Sequence, residues 1–197
     1  MGVYLVSVGA EEWFGGEEDG QGQIAAALND ALRQRGLPAY ESVPEEQGFV
    51  RDSGQAFEEK LSSPIDGFEA LCEAHLSQEE TETLSGWSVL VPFSLDEEIR
   101  LPVGCAYSES TVVAGAPQVL ALAKRLAAAI ELPAETPRMC DNLDLTMWFM
   151  DGAAKELAAS RPAPEPWGSD LSTAFYVALF LRAAEHAMRR GCPLVYC

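Results

Sequence analysis

Three groupings of side chains in this sequence have the types and spacing to do chemistry. The first is Cys140-Asp141-Asn142-Leu143-Asp144, a thiol and two carboxylates beside a helix start. A helix N-terminus lowers thiol and carboxylate pKa values. A functional reading makes Cys140 a reactive group and Asp141 and Asp144 acid–base groups or cation ligands. Capping of the helix accounts for the same residues with fewer assumptions.

The second grouping is the loop Gly9–Gly22, where Glu11, Glu12, Glu17, Glu18 and Asp19 surround Trp13-Phe14. Its glycines precede a helix, as in a nucleotide-binding turn, but Ala25 stands where the last glycine of G-x-G-x-x-G belongs. Carboxylates there also oppose the attraction of a helix N-terminus for phosphate. The alternating Asp/Asn pattern of a calcium loop is missing as well. Two large aromatics in such a loop either dock on the core or meet a partner. Trp13, Phe14, Glu17, Glu18 and Asp19 are accordingly the expected partner-binding residues.

The third grouping is Cys72 and His75, one helical turn apart. A structural zinc needs four ligands, and the chain holds only one other histidine, His186. No metal and no cofactor are expected. The sequence contains no G-x-S-x-G, no Walker lysine loop, no H-E-x-x-H and no C-x-x-C. The five cysteines have no paired spacing and read as reduced thiols.

Charge is the strongest compositional signal. The net charge is −18, with 21 acidic and 5 basic side chains in residues 1–100 against 10 and 8 in residues 101–197. Such a field disfavours nucleic acid and anionic membranes and favours a basic protein partner. No basic leader opens the sequence, and no apolar run approaches the roughly 18 residues of a membrane span. A cytoplasmic protein is expected.

The elements that must position these groups are organised around Gly168–Tyr196. Asp170 or Ser169 caps a helix there, and Gly191-Cys192-Pro193 stops it. Its first half, with Phe175, Tyr176, Val177, Leu179 and Phe180, is apolar on every side and demands burial. Its second half presents Arg182, Glu185, His186 and Arg189 as a polar stripe. Val3–Val8 reads as a strand, and Ile24, Ala27, Leu28, Ala31 and Leu32 as a helix face closed by Gly36. Residues 37–63 read as irregular. A helix follows Pro64, and Ser77-Gln78-Glu79-Glu80 is a capping box that starts another. Trp87–Phe93, Ile99–Val103 and Thr111–Ala114 are extended, and Pro92 either puts the first at a sheet edge or ends it. Val119–Ile130 and Leu143–Leu157 are helical, the latter capped by Asn142. Leu194-Val195-Tyr196 adds a last strand.

The pattern predicts an α+β fold over residues 1–197 as one domain. A short mixed or antiparallel sheet would pack against about five helices, with the C-terminal helix buried. The expected function is a non-catalytic binding module of inhibitor or immunity type for a basic partner. The alternative is a cation-assisted hydrolase or transferase using the clustered carboxylates. Self-association through the apolar C-terminal helix is a further expectation.

Overall fold

A computed structural model describes residues 2–16, 21–45, 50–62 and 64–197. In chain order its elements are β1 (Val3–Ser7), α1 (Ala10–Phe14), α2 (Gly22–Gln34), β2 (Glu58–Leu61), α3 (Asp66–His75), α4 (Gln78–Ser85), β3 (Val89–Val91), β4 (Ile99–Leu101), β5 (Thr111–Gly115), α5 (Ala116–Ala129), α6 (Asp144–Met150), α7 (Ala153–Ser160), α8 (Pro166–Ser169), α9 (Leu171–Arg190) and β6 (Leu194–Tyr196). The fold is α+β, with more and shorter helices than the five expected.

The six strands form one mixed sheet in the order β2-β1-β6-β3-β5-β4. Only β3 and β5 pair in parallel; the other neighbours are antiparallel. Thus β1, β3 and β5 run one way and β2, β4 and β6 the other. One end of the sheet therefore collects the ends of β1, β3 and β5 and the starts of β2, β4 and β6. The last strand, β6, lies between β1 and β3, and Tyr4 and Cys197 exchange backbone hydrogen bonds of 2.9 Å beyond the ladder.

Both faces of the sheet are covered. Leu5, Leu90, Ala114 and Leu194 point into a cluster with α9, α5, α3 and α6. Val89, Val91, Val113 and Val195 point to the other side, onto Ile24, Leu28 and Leu32 of α2. Alternate residues of one strand thus serve two cores, as the pleat requires. That is why β3 and β5 are buried throughout and apolar but for Thr111, whose hydroxyl donates to the Val103 carbonyl at 2.8 Å. Their burial places β3 inside the sheet, and Pro92 ends it rather than marking an edge.

The all-round apolar half of α9 is enclosed as its composition demands, with Thr173–Leu181 buried without a break. Asp170 caps it by accepting from the Thr173 amide at 3.0 Å and its hydroxyl at 2.8 Å. Gly67 of α3 packs against these same two side chains, where a Cβ would collide with Asp170 and Thr173. Gly191 closes α9 at φ 71°, a left-handed turn that glycine adopts without strain. The expected polar stripe is only partly a surface: His186 is buried.

Other local readings hold. Gly36 and Leu37 donate to the carbonyls of Arg33 and Leu32, the paired bonds of a Schellman stop. Ser77 and Glu80 form a reciprocal capping box. The segment read as irregular, 37–63, contains β2. The helix expected over Leu143–Leu157 is instead two, separated by Gly152 at φ 102°. Its buried side is Leu145, Phe149 and Ala154, while Met147 and Met150 are exposed.

The outer edge of β2 is sealed by chain from residues 140–146. The Glu58 amide donates to the Cys140 carbonyl at 3.0 Å, and the Leu143 amide to the Glu58 carbonyl at 2.8 Å. The Lys60 amide donates to the Thr146 hydroxyl at 3.2 Å. The opposite edge, β4, has three residues and exposes Arg100, two devices that discourage pairing with other chains.

Leu194→Ala, in the middle of this sheet, is expected to lower the free energy of unfolding by about 2–5 kcal/mol. Arg100→Ala on the exposed edge is expected to change it by about 0.5 kcal/mol or less. Urea unfolding followed by circular dichroism measures both.

Candidate functional site

Of the two expectations for Trp13, docking on the core is the one the structure shows. The residue is fully buried, with its ring 6.1 Å from that of Tyr40, whose own ring packs at 5.1 Å on Phe93. Burying a tryptophan against α2 removes far more apolar area from water than leaving it in a loop. Phe14 is 44% exposed and remains available. Glu17, Glu18 and Asp19 lie outside the described residues.

The Cys140–Asp144 group is brought together with β2, but as a structural joint. Cys140 is buried, and burial raises its thiol well above the ordinary pKa, reinforced by the charge of Glu59. The thiolate that a nucleophile needs is disfavoured there. Asp141 is buried too: its carboxylate accepts from the Gly54 amide at 3.0 Å, the Ala56 amide at 3.3 Å and the Ser53 hydroxyl at 3.4 Å. It fastens the chain before β2. Asp144, half-buried, accepts from the Asn142 amide at 3.4 Å. Asn142 is not the cap of α6, since no side chain of the N-cap residue accepts from the helix.

That cap comes from Glu59, 86 residues away in sequence. Its carboxylate is fully buried and accepts from the amides of Leu145 at 2.7 Å and Thr146 at 2.8 Å and from the Thr146 hydroxyl at 2.7 Å. Burial pushes the Glu59 carboxyl up to about 7, while the amides of α6 pull it back. The proton has a place to go. The Thr146 hydroxyl lies 3.3 Å from the Lys60 carbonyl and can turn toward it, leaving its oxygen to accept from a protonated Glu59.

His186 stands on the other side of this joint. It is 2% exposed, its ring packs 5.5 Å from Phe57, and its Nδ1 lies 3.3 Å from the Arg189 guanidinium. An arginine can only donate, so Nδ1 accepts and Nε2 carries the hydrogen. Burial, reinforced by Arg189 and Arg190, lowers its pKa to about 3. The imidazole is neutral and enclosed. His75 ends α3 on the surface, next to the Glu80–Arg125 ion pair.

The carboxylates that do converge in reach of solvent lie at the sheet end defined by the finish of β1, β3 and β5. A hollow of about 240 Å³ beside β1 and β2 is lined by Glu12, Glu45 and Glu58, with Arg190 as its cation. A second, of about 280 Å³, lies between α4, the 95–98 loop and the start of α5. Glu79, Glu82, Asp96, Glu97 and Glu98 line it, and neither lysine nor arginine does. Arg35, at the end of α2, donates to the carbonyls of Glu97 at 3.2 Å and Glu98 at 3.3 Å. It thereby holds the loop through its backbone, and the Glu98 carboxylate pairs with Arg100 at 3.6 Å. The run Asp96-Glu97-Glu98 was the signal available in the sequence. Glu79 and Glu82, one turn apart on α4, join it only through the fold.

Among the described residues, no group of three or more His, Cys, Asp and Glu side chains is placed to hold a metal ion. No helix among them is long and apolar enough to cross a membrane. No protein-family model, no curated protein and no solved structure matches this chain.

The two buried titrating groups act on stability in opposite directions. His186, lowered to about 3, contributes stability that is complete above its ordinary value of 6.5 and is lost as pH falls toward 3. Glu59, raised to about 7, contributes stability that is complete below its ordinary value of 4.5 and is lost as pH rises through 7. In urea unfolding across this range, the advantage of wild type over Glu59→Gln is expected to shrink as pH rises. The advantage over His186→Leu is expected to shrink as pH falls. Curves that stay parallel to wild type would contradict both assignments.

Proposed function

We propose that this chain is a non-catalytic binding protein of inhibitor or immunity type, and that it meets a basic partner at the acidic end of its sheet. One observation carries the reading: the hollow formed by α4, the 95–98 loop and α5 is lined by five carboxylates and by no lysine or arginine, and of the five Glu98 is paired with Arg100 at 3.6 Å. The neighbouring hollow adds three more at the same end of the sheet. The groups suited to nucleophilic or acid–base work, Cys140 and His186, are enclosed, so a visitor to this end meets carboxylates. Phe14, exposed two residues from Glu12, offers an apolar contact beside them.

Lysine and arginine side chains of a partner would replace water around these carboxylates. The long-range field of a −18 chain would speed the encounter. Acidic complementarity of this kind acts mainly on association rate and on the choice of partner.

The test uses a basic protein recovered from the source cell at low salt and then purified, with association followed by stopped-flow fluorescence. The rate constant is expected to fall steeply with ionic strength. It is expected to drop about tenfold or more in Asp96→Lys/Glu97→Lys, with dissociation changed far less. Glu135→Lys, outside both hollows, is the control and should leave the rate nearly unchanged. An association rate indifferent to salt and to the double reversal would refute the reading.

A further inference from the structure

We infer that the apolar hollow beside the Tyr40–Phe93 ring pair seats one large apolar side chain of the partner, an inference that rests on the reading of a basic partner at this end of the sheet. The segment that supplies the side chain carries lysines or arginines next to it, which reach Asp96 and Glu97. The hollow, of about 260 Å³, is lined by Leu32, Leu37, Pro38, Tyr40, Phe93 and Ser94, none of them charged. Its walls are fixed before any visitor arrives. Phe93 meets the Tyr40 ring edge-on at 5.1 Å, and the Tyr40 hydroxyl donates to the Gly191 carbonyl at 2.8 Å. Asn29 of α2 donates to the Tyr40 carbonyl at 3.2 Å and accepts from the Tyr40 amide at 2.6 Å. Leu37 remains 38% exposed, so apolar surface there stands in water. A preformed apolar pocket loses little freedom when it is filled.

The surroundings name the occupant. Ser94 lines this hollow and Leu95 lines the five-carboxylate hollow, so the two adjoin across one peptide bond. Asp96 and Glu97, both exposed, follow directly, and exposed Glu41 follows Tyr40 on the opposite wall. The arginines nearby are engaged. Arg33 pairs with Asp30, and Arg35 donates to the Glu97 and Glu98 carbonyls. Arg35 thereby clamps the end of α2 to the acidic loop and fixes the apolar and acidic hollows relative to each other. The connection is held from its other side as well. At Gly115 a Cβ would meet the Phe93 carbonyl at 2.7 Å and the Leu95 amide at 2.9 Å, so only glycine lets the chain lie this close to the start of α5. Positive charge beside a seated apolar side chain complements these carboxylates. An acidic peptide or a second −18 copy brings like charge to them, and an uncharged apolar compound fills the hollow without using the rim. An apolar anchor in a pocket ringed by polar groups is the arrangement that concentrates binding energy at protein interfaces.

The probes are three blocked synthetic peptides, Lys-Lys-Phe-Lys-Lys, Lys-Lys-Ala-Lys-Lys and Gly-Ser-Phe-Ser-Gly, titrated into the full chain at low salt and followed by amide NMR shifts. Lys-Lys-Phe-Lys-Lys is expected to shift Leu37, Ala39 and Ser94 together with Asp96 and Glu97. It is expected to bind about tenfold or more tightly than either of the others. Added sodium chloride should weaken the two lysine peptides by the same factor and leave their ratio unchanged, because salt screens charge and not apolar contact. Leu37→Ser should erase most of that ratio while leaving the melting temperature near that of wild type. Equal affinity of the two lysine peptides, with shifts confined to the acidic loop, would overturn the anchor and leave the acidic reading standing. A Gly-Ser-Phe-Ser-Gly peptide as tight as its lysine counterpart would overturn the choice of a basic segment. So would shifts at Leu37 and Ser94 on raising the concentration of the chain alone, the mark of a second copy. Lysine peptides that shift neither hollow would overturn both the anchor and the reading beneath it.

Discussion

The fold depends on enclosing a helix whose first half has no polar side. From Thr173 to Leu181, α9 is buried without a break, and its polar side-chain groups there are the hydroxyls of Thr173 and Tyr176. Burying one large apolar side chain contributes about 1.5–3 kcal/mol relative to leaving it exposed. A run such as Phe175, Tyr176, Val177, Leu179 and Phe180 therefore recruits partners on every side. α5, α3, α6 and the sheet supply them. Phe68 of α3 stacks on Phe180 at 5.4 Å, Trp87 meets the same ring at 6.1 Å, and Phe149 of α6 meets Phe175 at 5.8 Å.

That enclosure decides which surfaces remain for other molecules. One face of the sheet is taken by α9 and its neighbours, and the other by α2 with Trp13 and Tyr40. The β2 edge is closed by residues 140–146. At the end where β1, β3 and β5 finish, the connecting loops bring carboxylates to two hollows. The buried polar groups follow the same logic. Glu59, Asp141 and Arg182 tie loops to the frame. Arg182 donates to the Pro137 carbonyl at 2.8 Å and to the Thr136 carbonyl at 3.3 Å. Each of these side chains satisfies backbone atoms that would otherwise be buried without partners, a loss of about 1–3 kcal/mol apiece.

What was readable from sequence was local. Asp170, Gly191, Gly36 and Ser77 mark helix ends through bonds that span a few residues, and all four act at the ends they mark. The buried helix and the α+β class followed from apolar periodicity. What escaped was non-local. Glu-Glu-Lys-Leu has no apolar alternation, so β2 went unread, and it exists because β1 and residues 140–146 bond it from both sides. The cap of α6 comes from that strand and not from Asn142, and no spacing rule connects the two. His186 reads as part of a polar stripe until Phe57 is seen to cover it. For Trp13 the sequence left core and surface both open, and only the packing of Tyr40 and Leu28 around it decides for the core. Of the candidate site, only the acidic character of the first half was read; the 96–98 run stood in the sequence without being singled out, and its meeting with α4 comes only from the fold.

The central claim is that carboxylates are concentrated at the end of the sheet where β1, β3 and β5 finish. The most direct measurement compares NMR relaxation of backbone amides by cationic and anionic nitroxide probes in the chain alone. A strong excess of the cationic effect at Leu95–Glu98 and around Glu12 and Glu45, relative to Arg51 and Arg138, is what the account predicts. Equal enhancement ratios at both places would contradict it.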